Sequence, residues 1–519
     1  MIKNIKYLFL AAMVVASCTK AEEFDAVVAP EVSQSSDGLP LTAGTANFSK
    51  YVAVGNSLTA GYSDNTLFIE GQKGAWSTLL ASRFSLVGGG EFKVPFMADN
   101  IGGFKIAGNV VQGPRLYWNG SAPTPAAGTP STEITTKLTG PFNNMGVPGA
   151  KIFHLLAPGY GSAAGLATGQ ANPFFVRFSS SPAATILGDA VAQAPTFFSL
   201  WIGNNDVLGF ATSGGTGVNQ TGNLNPATYG GNDITDPNVF ASVYNTLLDG
   251  TNGLMKGGAK GVVSNIPSVT SVPFFTTVPH NPIPGLPAAA AGGLNQIFGG
   301  INAALAGAGL PARFVTLSTT EANPLLIVDE SQVNIAAQIT AAFTPTFGAA
   351  TAGFLGSIYG QARHARNNAT ARDYILLTAR GVIGTTQPLV PASFSTIGVS
   401  YPMQDATTLT DNETMQVKTA TDAYNATILA LATAKGLAFV NANAVLAQVA
   451  SPAGYNGGTF IMSSSYVVGG AFSLDGVHPS PRGYALIANE FMKSINAKFG
   501  SNLKAFELGN FKIQFPATL

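Results

Sequence analysis

The run Thr196-Phe-Phe-Ser-Leu-Trp-Ile202 is apolar at nearly every position and stops at Gly203. Successive side chains of a strand point to opposite faces, so a run like this needs cover on both. Helices on the two sides of a parallel sheet provide that cover. Tyr51-Val-Ala-Val54 gives the same signal, ends at Gly55 and leads into a helix-compatible run. Asp236-Pro237 opens a helix with an N-cap and a proline at its first position. That helix carries Val239, Phe240, Val243, Tyr244, Leu247 and Leu248 on one face; Gly257 and Gly258 end it, and Gly261-Val-Val-Ser-Asn-Ile266 reads as the next strand. Thr410 to Glu413 has capping-box spacing ahead of a helix through Tyr424, Ile428 and Leu431. Gly436 stops it, and Leu437-Ala-Phe-Val440 is another short strand. Ser480-Pro481 opens a last helix through Tyr484, Ile487, Phe491 and Ile495. The alternation predicts an α/β domain with a parallel sheet covered on both faces.

Residues 268–405 break this rhythm. They hold the Pro- and Phe-rich Ser271-Val-Pro-Phe-Phe275, an Ala/Gly-rich helical region near 287–308, and Tyr374-Ile-Leu-Leu377. We read them as a large insertion on the core, without internal repeats at solenoid periods. Composition narrows the function classes. Lys plus Arg and Asp plus Glu each number 26, giving no net charge to steer the chain toward nucleic acid or an anionic surface. Charged residues make up only 10%, whereas hydrophobic residues reach 46%, enough for a sizeable core.

The single cysteine, Cys18, follows a signal-like start. Lys3 and Lys6 precede an apolar run from Tyr7 to Val15, and Ala16 and Ser17 are small. The run is short for a membrane span, which favours a processed signal. Val15-Ala16-Ser17-Cys18 resembles the lipobox of bacterial lipoproteins, which implies lipidation of Cys18 and attachment at the cell envelope, with an outer-membrane location expected. An ordinary secretory signal is the other reading. Residues 19–48, rich in Ala, Ser, Asp and Glu, read as a flexible tether ahead of a folded body from residue 49.

Three short motifs, widely separated, sit where this fold would bring them together. Gly55-Asn56-Ser57-Leu58 puts a serine between a strand and a helix start, where backbone N–H groups can face a developing anion. Gly203-Asn204-Asn205-Asp206 follows the most apolar strand and can aim an uncharged amide donor at the same edge. Asp475-Gly476-Val477-His478 precedes the last helix, with an acid three residues before a base. Serine esterolysis needs both. His154, His280 and His364 have no comparable setting, and no His, Cys or carboxylate cluster at ligand spacing suggests a metal or another cofactor.

Taken in order, these motifs resemble those of the SGNH/GDSL hydrolase family. Its Gly-Asp-Ser-Leu block is similar to Gly55-Asn56-Ser57-Leu58, its glycine block to Asn144-Met-Gly146-Val-Pro-Gly149, its Gly-x-Asn-Asp block to Gly203–Asp206, and its Asp-x-x-His block to Asp475–His478. The resemblance spans roughly residues 50–497. It implies a three-layer α/β/α sandwich with a central parallel sheet, flavodoxin-like, carrying the insertion. It also implies a carboxylic ester hydrolase with nucleophile Ser57, base His478 and acid Asp475. The oxyanion donors would be Ser57, Gly149 (Gly146 as the alternative) and Asn205. Asn56 departs from the family aspartate, which is not the acid of the triad. Either a lipid or an acylated glycan fits as the ester substrate. Phe274, Phe275, Phe343 and Phe347 of the insertion could line an acyl pocket or lid, or fill the insertion's own core. Trp118 and Trp201 are candidates for stacking on sugars, although Trp201 belongs to the apolar strand. A non-catalytic surface lipoprotein using the same fold is the reading from a different class.

Overall fold

The computed structural model describes residues 38–519. The signal segment, Cys18 and most of the tether lie outside the described residues. Five parallel strands form the central sheet: β1 (Tyr51–Gly55), β2 (Asn144–Gly146), β3 (Phe197–Trp201), β4 (Lys260–Ser264) and β5 (Ala438–Val440), in the order β5-β4-β3-β1-β2. The register pairs Ala53 with Asn144 on one side of β1 and with Ser199 on the other. All five residues of β1 and of β3 are buried, as their two-sided apolar character requires.

The principal helices are α1 (Ser57–Ala60), α2 (Trp76–Phe84), α3 (Asn205–Thr212), α4 (Pro237–Leu247), α5 (Ala288–Gly307), α6 (Ala336–Tyr359), α7 (Asp411–Ala434), α8 (Ala442–Val449) and α9 (Pro481–Phe499). One sheet face buries Tyr51, Ala53, Phe197 and Trp201 against Trp76 and Leu80 of α2 and Tyr484 and Phe491 of α9. The other buries Val52, Val54, Phe198 and Leu200 with Phe240 and Tyr244 of α4 and Tyr424 and Ile428 of α7. Helix, sheet, helix: the core has three layers. Local chemistry sets the helix starts. Asp236 accepts from the N–H groups of Asn238 and Val239, Ser480 from that of Gly483, and Thr410 with Glu413 closes a capping box.

One expectation is corrected and one pair of alternatives is decided. The end of the tether is docked: Thr45 N–H donates to the Phe499 carbonyl at 2.8 Å, and buried Phe48 stacks on Phe84 at 3.9 Å. A phenyl ring and a backbone partner on α9 outweigh the polar composition around them. The insertion, between β4 and α7, has its own apolar cluster around Phe298, Phe314, Ile339, Leu355 and Tyr359. Phe343 belongs to that cluster, Phe275 to the main core with Phe274 partly buried against it, and Phe347 is exposed; none of the four lines the pocket at Ser57, so of the two readings packing holds.

Candidate active site

In a sheet ordered 2-1-3-4-5 the chain turns to opposite directions on leaving β1 and β3, which opens a crevice at their carboxyl ends. Ser57 and Asn205 follow those two strands. Gly55, the last residue of β1, has room for no side chain: a Cβ there would lie 2.2 Å from Thr59 Oγ1 and 2.5 Å from the Trp201 carbonyl. Asn56 is fully buried and does two things. Its Oδ1 accepts from Leu58 N–H at 3.1 Å, capping α1, and its Nδ2 donates to Asn204 Oδ1 at 3.1 Å. The asparagine therefore ties the serine turn to the β3 turn by a neutral amide pair, a donor role an ionised aspartate cannot fill.

The loop before α9 brings in the other two groups. His478 Nε2 lies 2.9 Å from Ser57 Oγ, and His478 Nδ1 lies 3.0 Å from Asp475 Oδ2. Asp475 Oδ1 accepts from the N–H groups of Val477 and His478, both at 2.8 Å, and Oδ2 from Asn65 N–H at 3.1 Å. Burial pushes the Asp475 carboxyl up, but the imidazole of His478 and these backbone donors outweigh it and hold it below the usual carboxylate range. The serine is buried except for a small exposed part, and the histidine and aspartate side chains are largely covered.

Asn205 starts α3 and spends one amide proton on the Ala150 carbonyl at 2.9 Å, leaving the other. Asp206, buried, accepts from Ile152 N–H at 3.0 Å and Thr235 Oγ1 at 2.7 Å, so the Gly149–Ile152 loop is fastened to the same helix. Gly149 is exposed in that loop with φ +80°, and neither its N–H nor that of Ser57 is used within the described chain. Gly146 is different: it is buried in β2, its N–H goes to Asn144 Oδ1 at 2.9 Å, and its Cβ position is 2.4 Å from Ala60 N. Of the two candidate glycines, only Gly149 has a donor to offer.

The remaining histidines are occupied elsewhere. His154 takes Lys151 N–H on Nδ1 and stacks on Tyr160, and buried His364 takes Val315 N–H; burial lowers both to about 4. His280 is lowered by burial as well. Trp201 is buried and donates to the Asn265 carbonyl at 3.0 Å, whereas Trp118 is half-buried in a hairpin strand.

Sequence reasoning missed the segment just after α1. Tyr62 lies against the His478 ring at 4.5 Å, Asn65 holds the Asp475 carboxylate, and Asp64 accepts from Leu474 N–H at 2.9 Å. Burial pushes the Asp64 carboxyl up to about 7, with Asp475 adding to the shift. The only local signal is a polar run behind a left-handed glycine, Gly61 at φ +87°.

A pocket of about 120 Å³ opens at Ser57, Asn205 and His478. Its walls are aliphatic and aromatic: Leu208 of α3, Val272, Leu446 of α8, and Leu486, Ile487 and Phe491 of α9. Helices α3, α8 and α9, the strand ends at Trp201 and Val440, and the loops near Val272 and Phe472 build this pocket together. Compared with models of known protein families, with curated proteins and with solved structures, the chain has no match, and its site is read from its own geometry.

Proposed function

We propose that this chain is a serine hydrolase of carboxylic esters, of the SGNH/GDSL kind, acting on substrates with an aliphatic acyl chain. The relay from Ser57 Oγ through His478 to Asp475, at 2.9 and 3.0 Å, is the observation that carries the reading. In the reaction Ser57 Oγ attacks the ester carbonyl while His478 Nε2 takes its proton, and Asp475 stabilises the imidazolium. The carbonyl oxygen, now anionic, is met by the N–H groups of Ser57 and Gly149 and the free amide proton of Asn205. His478 then protonates the leaving alcohol as the C–O bond breaks. Water, deprotonated by the same imidazole, releases the acid and restores Ser57.

The apolar pocket beside Ser57 favours an acyl chain over an acetyl group on a glycan, because an acetyl group would leave its walls in contact with water. Cys18 fits the same picture as a lipid anchor at the cell envelope; Cys18→Ala should then release the chain from membrane fractions. A fluorophosphonate probe tests the core claim. It should label the native chain and not Ser57→Ala, which should lose on the order of 10³-fold or more of its ester turnover. Asn205→Ala should lose about 10²-fold, one oxyanion donor's worth. Undiminished hydrolysis by purified Ser57→Ala would end this reading, and absence of labelling in the native chain would favour a binding protein on the same fold.

A further inference from the structure

Far from the serine in sequence, the fold gathers carboxylates that spacing did not reveal. One oxygen each of Glu330, Asp405 and Glu413 lies within 4.8 Å of the others. They come from three segments: the loop after strand Leu326–Val328 of the insertion, the turn Asp405–Thr407, and the first turn of α7. None has a salt bridge to Lys, Arg or His among the described residues. Like charges at this range repel strongly, and burial of one of them makes the repulsion worse.

Glu413 is 3% exposed. Its Oε2 accepts from Thr410 N–H and Oγ1 at 2.7 and 2.8 Å, completing the capping box. Its Oε1 is buried and receives no N–H or O–H from outside the cluster, and neither does Oδ1 of Asp405; the group facing both side chains is the Glu330 carboxyl. A capping box needs only one carboxylate oxygen, so the box leaves Oε1 unexplained. That oxygen lies against Gly215, where a Cβ would come within 1.8 Å of it; at Gly214 a Cβ would come within 2.3 Å of the Asp405 carbonyl. Both glycines have positive φ and end the turn that follows α3. The negative end of that helix faces Glu413, opposing the positive end of α7 in whose first turn Glu413 stands. Burial and the neighbouring carboxylates push Asp405 and Glu413 upward, in keeping with a site short of positive charge.

We propose that Glu330, Asp405 and Glu413 bind a divalent cation, Ca²⁺, which ties the insertion to the start of α7. The donors are all oxygen, which selects a hard cation. Carboxylates from three unrelated segments suit the loose, high coordination of Ca²⁺ better than the near-octahedral shell of Mg²⁺. Exposed Glu330 gives the ion its way in, and buried Glu413 gives it a dry wall.

The test uses the full chain stripped with a chelator, titrated calorimetrically with CaCl₂ and separately with MgCl₂ near neutral pH, alongside thermal unfolding. We expect about one Ca²⁺ per chain, weaker Mg²⁺ binding, and an unfolding midpoint raised by a few degrees at saturating Ca²⁺. Glu413→Gln should abolish the binding. Glu330→Gln, at an exposed position, should fold and still weaken it on the order of tenfold or more. Absence of heat and of any midpoint change with either ion overturns the proposal. So does Ca²⁺ binding that both variants leave intact, or tighter binding of Mg²⁺ than of Ca²⁺.

Discussion

Asp64 shows how much a single buried carboxyl next to a triad can matter. It is 1% exposed, Oδ1 accepts from Leu474 N–H, and Oδ2 has no partner. Its pKa lies at about 7 in the fold against 3.8 ordinarily, with burial as the main cause. From about pH 4 to about pH 7 the unfolded chain gives up this proton while the folded chain keeps it, so stability falls as pH rises through that window. Asparagine has no proton to lose and keeps the acceptor for Leu474. Asp64→Asn should therefore match the parent near pH 4 and exceed it by on the order of 2–4 kcal/mol near pH 8, read by chemical unfolding across pH. A constant gap would place the effect in packing instead. Of the proposed triad, Asp475 and His478 were legible from their spacing of three, and Ser57 only through its Gly-Asn-Ser-Leu motif, being 421 residues from His478. Asp64, Asn65 and Tyr62 were not, because their partners at 473–478 are about 410 residues away in the chain.

At the scale of elements, the strands and helices of the core follow from local signals. Two-sided apolar runs became β1 and β3, and the capping box at Thr410 became the start of α7. β2 escaped notice, since Asn144-Met-Gly146 is polar at its first residue; Asn144 is buried there and donates to the Thr59 carbonyl and Ser77 Oγ. The insertion was equally opaque: α6 carries Pro345 and a non-helical Gly348, so its period is broken. The pocket could not be read from any one element either, as its walls come from α3, α8, α9 and the loop near Val272. Helix α8 offers the clean perturbation. Leu446→Trp puts an indole where an acyl chain would lie and should lower the octanoyl-to-acetyl ratio of kcat/KM by on the order of tenfold or more. p-Nitrophenyl ester series on parent and variant measure this, and an unchanged ratio would remove the acyl pocket while leaving the triad chemistry standing.

Across the whole molecule, the insertion is joined to the core by buried charge as well as by apolar contact. Arg363 lies 2.5 Å from Asp329 Oδ2, 2.5 Å from Asp373 Oδ2 and 3.3 Å from Asp411 Oδ1 at the start of α7; its side chain and those of Asp329 and Asp373 are almost fully buried. The aspartates raise the guanidinium pKa despite its burial. Removing one member strands the rest in a dry site, so Arg363→Met should cost about 3–5 kcal/mol in chemical unfolding. A loss below about 1 kcal/mol would mean that water reaches the aspartates.

The docked segment that ends at Phe48 also fixes where the chain joins the folded body. It lies on the last turn of α9, beside Lys260 at the start of β4, whereas the first turn of α9 follows directly on His478. The 19 residues of α9 separate the two ends by about 28 Å. The chain therefore joins the body at one end of α9, while His478 and the Ser57 it faces stand at the other, so a partner gripping the entry point leaves the serine clear.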